Sequence, residues 1–513
     1  MPVKYAEEFK SEIPAFREMT EKFYNKEVSV AEYKGFSGRY GSYAQRGGEA
    51  SMLRLRLSCG RLEKDKLKFI ADCIREYQVD RVHLTTCQTI QLHNLSGTTA
   101  GDIMEKAVDH GILTWGGGGD FPRNVMTSPL SGVEEGEYFD VLPYAEKTAE
   151  YLMGFINRVK LPRKLKVGFS NSPANVTHAT FRDLGFVATP EGKFDVYSAG
   201  GLGMNPRMGQ KVAEGVEPER ILYYVKAMVD TFLAYGNYEK RNKARTRYMQ
   251  ETLGEEGYVA AYREKLEAVF ASGEKLDIAV APAPVEKNGD GSRVSGKRIL
   301  AQKQTGLYTV VYHPIGGSPK PEKLQEIYET IQDMEAVELR VAPDETLYII
   351  NCTGSEAEQV LAVTADGAEN LFETSVACIG ATICQVGLRD SQGLLQTLVE
   401  ETRKHNFADG VLPRIHISGC PSSCGTHQIG ELGFQGRVKM VDGTAMPAFL
   451  LYVGGCEEAD AACFGEEWGV MTQQDIPAFL VEVGKAVEAE HTTYDRWIVG
   501  NRDRLRKIAE KYL

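Results

Sequence analysis

The 513-residue chain has no apolar run approaching the roughly 18 residues that cross a bilayer. Its opening residues, Met1-Pro2-Val3-Lys4-Tyr5-Ala6-Glu7-Glu8, hold no apolar signal core. A cytoplasmic protein with no membrane partner is therefore expected. Positive charge is also short: 59 Lys and Arg against 71 Asp and Glu give a formal charge of −12, which argues against a general nucleic-acid binder. The ten cysteines are too few and too unevenly placed for a disulfide scaffold. No low-complexity tract or coiled-coil pattern occurs, and the glycine-rich stretches lack the strand–GxGxxG–helix context of a dinucleotide site. What is present is globular: 42% hydrophobic and 25% charged residues, in a chain long enough for several domains. Glycine is abundant, 52 residues, about 10% against a usual level of about 7%. Tight turns or close backbone approaches to a ligand follow from that.

Met52–Ser58 alternates strictly, with Leu53, Leu55 and Leu57 on one face and Arg54, Arg56 and Ser58 on the other, which predicts a half-buried strand. Leu67, Ile70, Ala71 and Ile74 then mark an amphipathic helix. Strands over 81–86 and 89–93 precede a helix near 102–110, behind a polar N-terminal arm. The same order recurs later, with a strand over 307–313, a helix from Pro321, and strands over 337–341 and 346–351.

A stronger repeat follows. Leu161-Pro162-Arg163 and Leu412-Pro413-Arg414 open similar runs offset by 251. Each run is followed by Leu-Gly-Phe, at 184–186 and 432–434, and then by Gly-Gly, at 200–201 and 454–455. Three landmarks in one order indicate an internal duplication, one α+β unit and one larger α/β unit per half. At the offset of 251, Lys164 and Lys166 align with Ile415 and Ile417, and Cys420 and Cys424 with Phe169 and Pro173.

Four cysteines stand in two pairs, Cys378-x5-Cys384 and Cys420-x3-Cys424. Zinc sites usually use Cys-x2–4-Cys, so the wider pair suits zinc poorly. Iron–sulfur clusters take four thiolates at uneven spacing, and the small residues of Ser418–Gly425 would let backbone amides approach cluster sulfurs. The spacing favours a 4Fe–4S cluster over zinc or buried thiols.

With the Leu-Pro-Arg run of each half, these motifs resemble the siroheme-dependent nitrite and sulfite reductases, over about residues 38–455. The resemblance implies a 4Fe–4S cluster on Cys378, Cys384, Cys420 and Cys424, with Cys424 bridging it to siroheme. It also implies ferredoxin as electron donor and a small anion, sulfite or nitrite, as substrate. Arg56 and Arg123 match family arginines that contact that anion. Lys164 and Lys166 add charge from one face of the strand expected over 164–169, and cations crowded together become better acids. Lys166 favours sulfite, because nitrite enzymes tend to carry Asn there. Thr85, Gln88, Gln91 and His93 match a stretch lining the macrocycle, with Cys87 standing where relatives usually have Arg. Gly200, Gly201 and Asn205 match a siroheme-edge loop. The basic run from Lys240 to Arg247 reads as a ferredoxin-docking patch or a solvated helix face.

The expected fold class is α+β, a pseudo-twofold duplication of two ferredoxin-like half-domains and two siroheme/4Fe–4S-binding α/β domains. The expected divisions are an arm over 1–37, a half-domain over 38–115, a first siroheme-binding copy over 116–255, a linker over 256–298, a second half-domain over 299–368, and a second copy with the cluster over 369–513.

Overall fold

The alternating segment becomes the strand Ser51–Arg56, whose Leu53 and Leu55 are fully buried. The computed structural model describes residues 4–281 and 284–513. Met1-Pro2-Val3 and Pro282-Ala283, part of the expected linker, lie outside the described residues. Around that strand an antiparallel sheet runs in the order Ser42–Ala44, Ser51–Arg56, Thr89–Leu95, Val82–Leu84. Helices Lys64–Glu76 and Gly97–Asp109 supply the apolar stripes that bury against the same core. A second sheet repeats the order with Ile299–Ala301, Tyr308–Tyr312, Leu347–Cys352 and Glu338–Val341. Leu53 pairs with Leu92 in the first sheet and Val310 with Ile349 in the second, equivalent positions 257 residues apart. The short strand Arg61–Leu62 leaves the first unit to pair with Glu338–Val341, so one hydrophobic core serves both.

The two larger sheets also share one topology. In the first, Met126–Thr127, Val167–Ser170 and Leu184–Ala188 run parallel, and Phe194–Ser198 and Gln210–Val216 continue antiparallel. In the second, Val376–Ala377, Ile415–Ser418 and Leu432–Val441 run parallel, and Thr444–Val453 and Glu466–Thr472 antiparallel. Identical order and direction in both pairs of sheets establish the duplicated α+β architecture.

The register corrects the expected alignment. Val167 pairs with Leu184 and Ile415 with Leu432, so equivalent strand residues are 248 apart. Ile415 and Ile417 therefore correspond to Val167 and Phe169, not to the two lysines. Cys420 and Cys424 correspond to Ser172 and Val176, not to Phe169 and Pro173. The Leu-Pro-Arg runs misled because three residues, Lys164-Leu165-Lys166, separate the first of them from its strand, which begins at Val167 rather than at 164. Leu165 continues the pairing on one side, as a parallel bridge to Pro122.

Two other expectations change. The arm is mostly helix, Ala6–Tyr24 and Val30–Ser37, because Phe9, Ile13, Phe16 and Phe23 form an apolar stripe among its charges. The segment expected as a linker opens with the helix Glu255–Ala271, which buries Tyr258 and Tyr262 against the larger core. Among the described residues no helix is long and apolar enough to cross a membrane.

Gly185 and Gly433, equivalent residues, each lie so close to a backbone carbonyl (of Ala179 and His427) that any Cβ would overlap it. Gly433→Ala should cost about 3 kcal/mol, the upper range for overpacking, read as a lower urea midpoint. Gly35, on an open helix face, is the control: Gly35→Ala should stabilise by about 0.5–1 kcal/mol.

Candidate active site

Parallel pairing places the ends of Val376–Ala377 and Ile415–Ser418 side by side, and the two cysteine loops grow from those ends. The Cys378 amide donates to the Ile417 carbonyl at 3.1 Å, and the Gly419 amide donates to Cys378 Sγ at 3.2 Å. Leu388 and Arg389 both donate to the Gly419 carbonyl at 2.9 Å, which ties the Cys384 turn to the second loop. Gly419 and Gly425 have no room for a side chain, since a Cβ would meet the carbonyls of Arg389 and Ile417. Burial pushes the Cys378 thiol up to about 12, with Cys424 adding to the shift; burial also raises Cys424 against the pull of Lys164. Such thiols gain from being deprotonated onto a metal. Among the described residues no three His, Cys, Asp or Glu side chains converge on one ion. Each thiolate of a cluster holds a different iron, so its ligands stand further apart than those of a single zinc. An amide already aimed at a cysteine sulfur, and a buried Ser423 hydroxyl without a partner, suit a cluster there.

Facing these loops is a crowd of cations. Lys164 and Lys166 flank the bridged Leu165, so both project from one side of the segment. Lys164 is held well below the ordinary lysine range, first by burial and then by Lys166, Arg245 and Arg123. Lys166 is lowered by burial, with Arg182 and Arg245 opposing the help of Cys87. The two lysines are only half-buried, and Cys424 is exposed, although the surrounding protein depresses the one and raises the other. Side chains that keep solvent contact amid so much surrounding protein line a hollow open to solvent.

Arg123 spends its Nη atoms on the carbonyls of Gly117 at 2.8 Å and Gly119 at 2.9 Å, and its buried Nε has no partner. Arg56 is 5% exposed and donates to the carbonyls of Trp115, Pro122 and Arg123 at 3.1, 3.2 and 2.7 Å. It braces the loop that carries Arg123. Arg54, on the same sheet, instead reaches Gly117 and the amide of Gln91.

The stretch from Thr85 to His93 divides. Thr85 closes its own turn through Thr89 at 2.7 Å, and Thr86 donates to the Cys424 carbonyl at 2.9 Å. Gln88 is buried, donating to Thr127 and Val341 carbonyls and accepting the Thr127 amide at 2.9 Å. Glu345, its counterpart 257 residues on, accepts the Ala377 amide at 3.1 Å in the same way, so Gln88 joins the smaller unit to the larger. Gln91 and His93 extend a buried network to Gln45 and Arg54, with His93 kept neutral by burial, near 3.

The loop from Gly200 to Pro206 is locked across the halves by Gln428, which accepts from the Gly203 amide at 2.8 Å and donates to its carbonyl at 2.9 Å. A side chain at Gly200 would strike the Phe181 backbone. Gly201 lies beside Arg247, whereas Asn205 is exposed and bonds Glu251 at 3.2 Å.

Sequence reasoning missed three cations here. Arg182 is buried, with Nη2 at 3.0 Å from His178 Nδ1. Arg245 and Arg247, expected in a docking patch or on a solvated helix face, turn inward to Asp183 at 3.0 Å and the Met204 carbonyl at 2.6 Å. Asp183 is fully buried, which gave no sequence signal that it would draw Arg245 in. The run itself forms a short 3-10 turn, Arg241–Lys243, rather than a helix face. Buried N–H groups of Arg123, Arg207, Arg245 and Arg247 lack acceptors. A tetrapyrrole rich in carboxylates, or an anionic substrate, is what those donors fit. Cys87 is also set here: Lys166 and Arg182 overcome the effect of burial and bring its thiol down to about 6. It occupies the place of Asp344 and Lys166 that of Arg414, which form a 3.0 Å ion pair in the second copy.

A duplicated α+β fold with a four-cysteine loop pair and a cluster of cations facing it across its copies is the architecture of a redox enzyme. The family model for the nitrite and sulphite reductase 4Fe-4S domain matches residues 118–270, and that for the nitrite/sulfite reductase ferredoxin-like half domain matches 43–109. Sulfite reductase (ferredoxin) 1 of Mycolicibacterium paratuberculosis is 26% identical over 79% of this chain and 73% of its own length. Ferredoxin–nitrite reductase of Leptolyngbya laminosa is 25% identical over 83% of each chain. In three dimensions the chain resembles Mycobacterium tuberculosis NirA with a TM-score of 0.78 over 98% of both chains, at 24% identity. The two matched regions are thus nitrite and sulfite reductase domains, which make the chain an oxidoreductase whose cofactors are siroheme and a 4Fe–4S cluster.

Proposed function

We propose that this chain reduces sulfite to sulfide by six electrons supplied singly by ferredoxin. The observation that carries this reading is the hollow in which Lys164, Lys166, Arg123, Arg182 and Arg245 gather opposite Cys424. Cys378, Cys384, Cys420 and Cys424 would hold the cluster, with Cys424 shared with siroheme, and the unpartnered arginine N–H groups would receive the macrocycle's carboxylates. When bound, siroheme and cluster store and pass electrons to the substrate. The chain's own residues do the rest. Lysines and arginines draw the anion in and hold its oxygens, since opposite charges 4 Å apart gain up to ~4 kcal/mol at an effective dielectric of about 20. Lys164, made more acidic by burial and by Lys166, and Lys166, made more acidic by burial and by Arg182 and Arg245, deliver the protons with which those oxygens leave as water.

Ferredoxin as donor is supported by the names of the relatives and by the surface at the cluster loop. Val386 and Leu388, two to four residues past Cys384, are 54% and 49% exposed, and Arg46 grips the same turn through the Gly387 carbonyl at 2.5 Å. An apolar patch rimmed by arginine suits a transient acidic partner.

Nitrite reduction to ammonia is the second reading, favoured by relatives of that name at similar identity. Turnover with a reduced low-potential dye separates the two. A higher kcat/KM for sulfite is expected, and a higher value for nitrite would reverse the assignment. Lys166→Asn should move the ratio toward nitrite by about tenfold, the effect of one charge-assisted contact worth ~1.4 kcal/mol. An unchanged ratio would remove Lys166 from substrate choice.

A further inference from the structure

Cys456 and Cys463 lie outside the cluster loops. They face each other across an isolated antiparallel bridge. Each amide donates to the other's carbonyl at 3.0 Å, a hydrogen-bonded pair whose Cα atoms stand about 5.5 Å apart. Disulfides span Cα separations of about 4.4–6.8 Å. Cys463 is exposed and Cys456 half-buried, so an outside reagent can reach the first and the second can follow. No third metal ligand joins them among the described residues, which leaves thiol chemistry rather than metal binding.

The residues between them touch the cationic hollow from the far side. Glu457 Oε2 meets His178 Nε2 at 2.7 Å, and His178 Nδ1 meets Arg182 Nη2 at 3.0 Å. The Glu457 carbonyl accepts from Asn175 at 2.6 Å and the Ala459 amide donates to the Pro173 carbonyl at 2.8 Å, while Phe464, the residue after Cys463, packs edge-on against Phe181. One small loop of the second copy thus clasps the 173–182 loop of the first.

We propose that Cys456 and Cys463 are a reversible oxidation site, a dithiol that closes to a disulfide and fastens the Glu457–His178–Arg182 clasp. The co-reactant is a disulfide, either of low molecular weight or on a dithiol protein. The Cys463 thiolate attacks one of its sulfurs and expels the other as a thiolate, leaving a mixed disulfide. The Cys456 thiolate then attacks Cys463 Sγ and expels the second thiol. Two cysteines are oxidised, one external disulfide is reduced to two thiols, and the two cysteine protons pass to those thiols. A hydrogen-bonded pair must draw its Cβ atoms together to close, so the bond is of the easily reduced, labile kind.

The test uses the cofactor-loaded full chain equilibrated with oxidised and reduced glutathione, then alkylated and mapped by mass spectrometry. The two cysteines should lose reactivity together and appear in one linked peptide two hydrogens lighter. Backbone amides of 456–463 and 173–180 should exchange at least about tenfold more slowly after oxidation, and Cys456→Ser should abolish that change. A stable glutathione adduct on Cys463, with Cys456 still open to alkylation, would overturn the proposal. So would a disulfide that leaves exchange in both loops unchanged, because the clasp would then not respond to it.

Discussion

Cys424→Ser is expected to fold as the parent does and to reduce sulfite at least about 10²-fold more slowly, beyond the ~10–100-fold that outer partners of a metal ligand cost. Its side chain is exposed to the hollow, so shortening it opens no cavity in the core. Its neighbours carry the argument. Thr86 holds its carbonyl, Gly425 is fixed by the Ser418 hydroxyl at 3.0 Å, and Lys164 pulls on its thiol. No other cluster-loop cysteine is exposed. The variant, purified anaerobically, should lose the spectroscopic coupling between haem and cluster. Coupling and turnover at the parent level would show that another residue makes the bridge.

Lys164→Met is expected to lower kcat/KM for sulfite by about 10²–10³-fold, the scale of removing one preorganised donor from a buried anion site. The pH profile gives a second reading. Burial and neighbouring cations hold Lys164 below the ordinary lysine range, so its ammonium is lost at a lower pH than a free lysine's. Activity that needs that proton should fall as pH rises through the lowered value, and this alkaline limb should vanish in the methionine variant. The linked effect on stability has the opposite sign. The unfolded chain keeps this lysine protonated up to about 10.4. Between the lowered value and that limit the unfolded state binds the extra proton, so apo-protein stability contributed by Lys164 rises with pH. A variant that keeps both its rate and its alkaline limb would remove Lys164 from proton delivery.

The duplication was legible because strand alternation and short apolar landmarks survive in both copies. Its register was not, because Leu-Pro-Arg marks the approach to the strand rather than the strand itself. Once Val167 and Ile415 are matched by pairing, Lys166 falls on Arg414, and a charge at that position belongs to both copies. Cysteine spacing pointed to a cluster because thiolate sets are rare and local. Arg182, Arg245 and Arg247 could not be read, since a cation's direction depends on distant partners such as Asp183 and Met204. Arg56 illustrates the converse. Its position in the strand was correct, yet three main-chain carbonyls take its donors. The N-terminal helices were hidden by their charge, which conceals the stripe of Phe9, Ile13, Phe16 and Phe23.

The most direct measurement is the product assay on protein expressed with siroheme supply, purified anaerobically and supplied with a reduced viologen dye. Sulfite should yield sulfide, with six dye equivalents oxidised for each sulfide formed. Siroheme and cluster bands at full strength, with no sulfide produced from sulfite, would contradict the assignment.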